Sequence, residues 1–462
     1  MKGHLAKFSS TLIAASVLIL LLGYLYFFDL KKPSEEESKK EIFTDIKEEQ
    51  VGDVELKYSE YTIVCKKEEG NWHVLKDSNR FKADGNVIST IIDNLSKIRI
   101  EKIVSENPKD LAGFGLEKPK AHVVVKTPTK EYGISIGADS PVGSGTYIQV
   151  DDGNEVLIVN KNSVMAFLDK SANDLRDKQI LALDESRIKK LRFQWKDSSG
   201  SEVATQREGS QGTPVVIERK DGDWVGKDVP EYVEIDQARV EAILKTFLNL
   251  KIDNFEEDEP TDLSAYGLDK PSAEIEIFAN EKPVRVLFGN KKEEGIYYVK
   301  LDSEAPVYSV SEFVYRQVPE NVNDIRVRKF VEVDSEKVDG VEIRKGDAVI
   351  SIIKEGNNWK LDGDKEKKVD EPKVYELISG IESLQVEKFV DDYPIDLATY
   401  GLDKPEIEVT TTEAGNKKIT ILFGKKEDKM VYTKLADWKS VYLISDEIVS
   451  QLPSSKEELI KN

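Results

Sequence analysis

Asp110-Leu111-Ala112-Gly113-Phe114-Gly115-Leu116-Glu117-Lys118-Pro119 is the first of three copies of one phrase in this chain. It returns as Asp262-Leu263-Ser264-Ala265-Tyr266-Gly267-Leu268-Asp269-Lys270-Pro271 and as Asp396-Leu397-Ala398-Thr399-Tyr400-Gly401-Leu402-Asp403-Lys404-Pro405. A phrase this specific marks homologous modules, so it decides the architecture before any single residue is weighed. Its residue types read as a short helix with a full stop. Asp110, Asp262 and Asp396 cap the start, and Gly115, Gly267 and Gly401 take the left-handed position past the end. Leu116, Leu268 and Leu402 fold back as apolar contacts, the prolines forbid continuation, and Phe114, Tyr266 and Tyr400 pack inward beside the leucines.

Working outward, each copy carries a tryptophan after a hairpin-type turn: Gly70-Asn71-Trp72, Gly222-Asp223-Trp224 and Gly356-Asn357-Asn358-Trp359. Asp84, Asp236 and Asp370 follow, each 31 residues before the phrase glycine. An aspartate there suits a helix N-cap. Apolar residues then recur at helical spacing: Ile88, Ile91, Ile92 and Leu95; Val240, Ile243, Leu244, Phe247 and Leu248; Val374, Leu377, Ile378 and Ile381. Pro372 falls in the first turn of the third helix, a position that tolerates proline. A short strand follows each helix, at 100–104, 252–255 and 386–390. Downstream of the phrase come runs of strands, in copy two at 273–279, 284–288, 297–301 and 307–310. A short amphipathic helix closes each module, at 162–168, 311–318 and 446–452.

The expected fold class is α+β: an N-terminal transmembrane helix, then three homologous, mostly antiparallel, strand-rich modules. The boundaries are residues 1–30 for the cytoplasmic tail and anchor, 31–50 for a charged tether, and 51–187, 188–331 and 332–462 for the modules. Val54 to Trp72 and Val341 to Trp359 span 18 residues, but Leu191 to Trp224 spans 33. The 15 extra residues place a hairpin insertion near 198–213.

Residues 11–28 are almost wholly apolar. At about 1.5 Å per helical residue they come close to a hydrocarbon core of about 30 Å. Lys2 and Lys7 precede the run, and Tyr24, Tyr26, Phe27 and Phe28 end it with interface-type aromatics. That ending is too bulky for a cleavage site, and a lipoprotein would need a cysteine there. The expectation is an uncleaved anchor, with the bulk of the chain extracytoplasmic.

The 462 residues carry 87 Asp and Glu against 67 Lys and Arg, for a net charge of −20. Such a balance argues against nucleic acid, whose binding rests on cationic side chains. A single cysteine, Cys65, rules out an intramolecular disulfide and sits in an alternating strand-like run. Only three histidines occur, His4, His73 and His122, with no pair at metal-ligand spacing. The acidic clusters Asp151-Asp152, Glu256-Glu257-Asp258-Glu259 and Asp391-Asp392 match no calcium-loop pattern. Leu287-Phe288-Gly289-Asn290-Lys291-Lys292-Glu293 and Leu422-Phe423-Gly424-Lys425-Lys426-Glu427 resemble each other, but copy one has Ile136-Gly137-Ala138-Asp139 instead. These lysines therefore read as turn residues and not as a phosphate loop. No catalytic, cofactor-binding or metal-ligating residue is nominated.

The Gly-Leu-Asp/Glu-Lys-Pro phrase, with its preceding Asp-Leu and aromatic, resembles a bacterial family known as domain of unknown function 4340, DUF4340. The resemblance covers the chain from about Val51 onward. It implies a membrane-anchored or secreted component associated with ABC-type transport systems, and it implies no catalytic residues. The expected function is a non-enzymatic accessory or scaffold that meets a membrane-protein partner. The alternative is an envelope module that binds a glycan, a peptide or a cation.

Overall fold

The computed structural model describes residues 40–76, 79–195, 214–227, 229, 233–279, 282–364 and 366–461. The apolar run 11–28 and the insertion 198–213 lie outside the described residues. Among those described, no helix is long and apolar enough to cross a membrane. The chain forms two compact units, Met1–Lys178 and Gln179–Asn462. The first holds one antiparallel sheet and the second holds two, in agreement with three strand-rich modules.

Each sheet follows one path. In the first, the strands run from edge to edge as Asn79–Lys82, Asn71–Lys76, Thr62–Glu68, Asp53–Lys57, Ala121–Lys126, Glu131–Asp139, Gly145–Val150, Val156–Asn160 and Ile100–Ser105. The chain therefore starts mid-sheet and meanders to one edge. It crosses by a helix to the far edge and returns to the middle for the second meander. Lys190–Trp195 and Val338–Lys345 take the central place in the other sheets, and Asn254–Glu257 and Lys388–Asp391 take the far edge.

The crossing helices are Gly85–Ser96, Gln237–Leu248 and Glu371–Glu382. The apolar positions expected to face inward are the buried ones in all three. Each such side chain contributes about 1.5–3 kcal/mol on burial, so a helix with little intrinsic stability is held by its sheet. The Asp84 carboxylate accepts from the Asn86 and Val87 amides at 2.9 and 3.4 Å, and Asp236 accepts from Arg239 at 2.9 Å. Asp370 departs from the expectation, for its side chain makes no capping bond. Pro372 stands at the second helical position and removes one of the two N–H groups that Asp84 uses, and the third-position amide, of Lys373, donates to the Asp370 backbone carbonyl at 3.0 Å instead of to its side chain.

The phrase folds as read, in a tighter form. Its helix is a 3₁₀ turn at Ala112–Phe114, Ser264–Tyr266 and Leu397–Tyr400, and the glycines that follow have φ of 67°, 66° and 70°. Asp110, Asp262 and Asp396 accept from the amides of Ala112, Ser264 and Ala398 at 2.8, 2.8 and 2.9 Å. The amides of Leu116, Leu268 and Leu402 each donate back across the turn at 3.0 Å, and the leucines are buried. The aromatics are half-buried, and Tyr266 packs against the small buried cluster of Leu268, Leu287 and Val307. Phe114, Tyr266 and Tyr400 meet Tyr147, Tyr298 and Tyr432 at ring separations of 5.1, 5.0 and 5.2 Å. A second glycine in each module serves the phrase. A Cβ on Gly137, Gly289 or Gly424 would lie 2.3, 2.1 or 2.2 Å from the carbonyl oxygen of the phrase aromatic.

The expected tether needs correction, because residues 40–50 belong to the first module. Phe43 is buried, the Ile42 amide donates to Ile98, and the Ile100 amide donates to Lys40. The apolar Ile42, Phe43 and Ile46 supply the contacts, whereas the charged residues around them face solvent. In the second module the Ile180 amide donates to Leu250, and in the third the Phe330 amide donates to Leu384. An incoming extended segment, held by an isolated bridge, thus closes the end of every crossing helix. The start is closed by the module's own last turn: the amides of Asp84, Asp236 and Asp370 donate to Leu175, Ile325 and Leu459, each at 2.8 Å.

Candidate functional site

The side chains that chemistry would first single out are held by packing or by one another. Cys65 is buried in its strand, and burial pushes its thiol up to about 12. His122 Nε2 lies 2.8 Å from Asp151 Oδ1, and His73 is 3.2 Å from Arg80. In the acidic clusters, Asp391 accepts from the Tyr393 amide at 2.8 Å, Asp392 pairs with Arg326 at 3.0 Å, and Glu256 pairs with Lys292 at 2.8 Å. Among the described residues, no three His, Cys, Asp or Glu side chains are placed to share a metal ion.

The lysines after Gly424 lie within the strand Lys417–Glu427 and not in a turn, and they close the fold. Lys425 Nζ donates to the Ala398 and Thr399 carbonyls at 2.9 and 3.3 Å, and Lys426 pairs with Asp446 at 3.0 Å. Strand register makes Asp139 the counterpart of Lys426 and Lys161 that of Asp446. Asp139 and Lys161 pair at 2.6 Å. The bridge survives between copies with its charges exchanged, which is the behaviour of a structural pair.

Two concave sites are built instead from residues that differ between the copies. The first is a cavity of about 530 Å³ in the second module. Trp195, Tyr297 and Tyr315 line it, together with Arg239, Arg316 and Arg328. Tyr297 and Tyr315 stack at 4.0 Å with an interplanar angle of 11°, and Trp195 meets Tyr315 edge-on at 4.9 Å. Trp195 Nε1 donates to the Val318 carbonyl at 3.0 Å, and the Tyr315 hydroxyl lies 3.1 Å from Ser272 Oγ. The rings are therefore fixed in place. Trp195 has an aromatic counterpart in Tyr58, whose hydroxyl donates to the matching Phe167 carbonyl at 2.8 Å. Tyr297 and Tyr315 have none: their counterparts are Thr146 and Val164 in the first module, Val431 and Val449 in the third.

The cationic side of this cavity is unusual for so acidic a chain. Arg239 Nη1 donates to Gln317 Oε1 at 2.9 Å, and Arg328 Nη1 donates to the Val386 and Glu387 carbonyls at 3.0 and 2.9 Å. Both guanidiniums have neutral acceptors and, among the described residues, no carboxylate partner. Arg316 is neutralised by Glu312. Glu320 and Asp324 complete the rim, and Asp324 accepts from the Glu320 and Asn321 amides at 2.8 and 3.1 Å.

The second concavity, about 380 Å³ in the third module, is lined by Tyr393, Pro394, Leu397, Lys434, Trp438 and Lys439. Tyr393 is 58% exposed, Trp438 is 53% exposed, and the neighbouring Ile395 is fully exposed. At these positions the first module has Asn107, Gly153 and Lys109, and the second has Glu259, Glu304 and Thr261. Burial lowers the pKa of the Lys434 ammonium at the floor, and its Nζ donates to the Ala436 carbonyl at 3.1 Å.

Sequence reading nominated none of these residues. The signal available was divergence, large aromatics in one copy where its sisters carry small or charged residues, and it emerges only once strand register aligns the copies. No curated protein and no solved structure matches the chain. The repeat that organises the fold is also the unit of its family: over residues 72–225, 224–393 and 359–462, three segments that each begin at the repeated tryptophan, the chain matches the domain of unknown function DUF4340, and it belongs to that family.

Proposed function

We propose that this chain is a membrane-anchored, extracytoplasmic, non-enzymatic accessory protein that docks a membrane-protein partner of the ABC-transport type through its third module. The observation that carries this reading is the exposed group of Tyr393, Ile395 and Trp438. Large aromatics at the centre of a contact supply most of its energy, and monomers seldom leave them grouped in solvent. The apolar run at residues 11–28 supports the anchor, and the resemblance to transport-associated relatives supports the class of partner.

The test is co-isolation of the transporter subunits with the full-length chain from membranes in mild detergent. Trp438→Asp together with Tyr393→Asp should lower the yield at least tenfold while leaving the melting temperature within a few degrees. Undiminished recovery by the double variant removes the docking site. Orientation is read separately. Buried Cys65 gives no thiol background, so a Ser454→Cys variant should react with a membrane-impermeant maleimide on intact cells; labelling only after lysis overturns the extracytoplasmic placement.

A second reading, an envelope module that binds a small ligand, is favoured by the aromatic and arginine-lined cavity of the second module.

A further inference from the structure

We propose that the cavity of the second module binds a carboxylated sugar, with its rings against Trp195, Tyr297 and Tyr315 and its carboxylate on Arg239 and Arg328. The proposal rests on the ligand-binding reading and gives it a chemical class.

Charge comes first. Arg80, Arg99, Arg192, Arg219, Arg285, Arg316, Arg326 and Arg344 are each ion-paired to a carboxylate. Arg239 and Arg328 are held by neutral acceptors instead, and both line this one cavity. A guanidinium oriented by amide oxygens keeps its remaining N–H donors and its full charge for a ligand. Its planar fork matches a carboxylate.

The rings come next. Three of them line one cavity, and two occur in this copy alone. An aromatic cage for an alkylammonium needs faces turned toward an empty centre. Here Tyr297 and Tyr315 lie against each other at 4.0 Å, which leaves no space for a cation between them, and two unpaired guanidiniums share the site. A flat apolar ring face that stacks on the lining suits the geometry, and the Tyr297 hydroxyl and Glu320 carboxylate at the cavity are suited to bonding sugar hydroxyls. The volume of about 530 Å³ falls in the range of small-ligand sites.

The rim then limits the ligand's charge. Glu312, Glu320 and Asp324 balance the three arginines in number. That balance leaves no surplus positive charge to compensate the dehydration of a doubly charged phosphate, whereas a single carboxylate matches the fork of one guanidinium. A nucleotide, which would offer both a stacking base and a phosphate, is for that reason the competing ligand to test.

The experiment is calorimetric titration of the full-length chain in detergent with trigalacturonate, neutral galactotriose, AMP and choline. Trigalacturonate should bind saturably and weaken as salt rises, with galactotriose, AMP and choline at least tenfold weaker. Arg239→Gln should weaken trigalacturonate at least tenfold. So should Tyr297→Val, which installs the third module's own residue and so preserves the fold. Equal binding of galactotriose, or tighter binding of AMP or choline, with loss in Tyr297→Val, overturns the carboxylated sugar and keeps a ligand site. Trigalacturonate binding that both variants leave unchanged overturns the location. Absence of heat with all four probes, on a chain with an unaltered melting curve, overturns both the ligand class and the reading on which it rests.

Discussion

Asp139 shows how far a single residue can drift while its structural task stays fixed. It holds Lys120 at 3.0 Å and Lys161 at 2.6 Å, and Thr146 donates to it at 3.1 Å. Lys161 foremost, then Lys120, holds the carboxyl at about 2, well below its ordinary value of 3.8. A carboxyl with a depressed folded pKa contributes stability above its unfolded value and loses it as pH falls through the folded one. The window is therefore roughly pH 4 down to pH 2. Asp139→Asn should lower the urea midpoint of the first unit at pH 7, and the gap to wild type should shrink as the pH drops below 4. Because the pair is partly exposed, the effect is modest and weaker in high salt. A gap that is the same at pH 7 and pH 2.5 would mean that Asp139 acts through shape and not through charge. The exchange of charges with Lys426 and Asp446 accounts for the absence of that lysine from the first copy: the bridge of the third copy is retained with its two ends traded, whereas in the second copy Lys292 pairs with Glu256 instead.

The crossing helices were legible because each couples an apolar stripe to a capping aspartate, two signals that lie within a dozen residues of one another. The stop phrase was legible for the same reason, since its cap, glycine and leucine are contiguous. Contacts between distant segments were not legible. Gly137, Gly289 and Gly424 look like ordinary turn glycines until the phrase carbonyl is seen lying on them, and residues 40–50 look like a tether until Phe43 is found in the core. The third helix shows a finer limit. Asp370 has the right residue type in the right place, yet Pro372 removes one donor and the Lys373 amide turns to the Asp370 backbone carbonyl. The contrast is measurable. Asp84→Ala should cost about 1 kcal/mol, as the loss of a side-chain cap does. Asp370→Ala should stay within about 0.5 kcal/mol, as surface changes do. Chemical denaturation of the two variants reads both values, and equal costs would show that the aspartates act through the helix dipole and not through a hydrogen bond.

Across the whole molecule the modules repeat a stop, a strap and a helix, so stability should depend on each module and on the joints between neighbours. Within the second unit that joint is described in detail. The segment after Val322–Ile325 leaves the second module's helix and passes to the third module's, where the Val386 amide donates to Arg328 and the Phe330 amide to Leu384. Arg326 stands at the crossing point. It is buried, stacks 4.1 Å from the Phe389 ring, and bonds both oxygens of Asp392 at 3.0 and 3.2 Å. Its Nη1 also lies 3.1 Å from Asn323 in the turn that precedes it. One side chain thus ties the last turn of one module to the edge strand of the next. Removing the guanidinium would leave Asp392 without its counterion and Phe389 without its cover. Arg326→Gln should therefore cost about 2–4 kcal/mol, and much of that cost should fall on the joint. In calorimetry the second unit of the wild type should unfold in one transition. In Arg326→Gln the third module should melt ahead of the second, as a separate or broadened peak. Arg344→Gln, which breaks an exposed pair with Glu342 inside one module, should shift the transition by less than about 0.5 kcal/mol and leave it single. A single sharp transition in both variants would place the cooperativity of the unit in its backbone strap and not in Arg326.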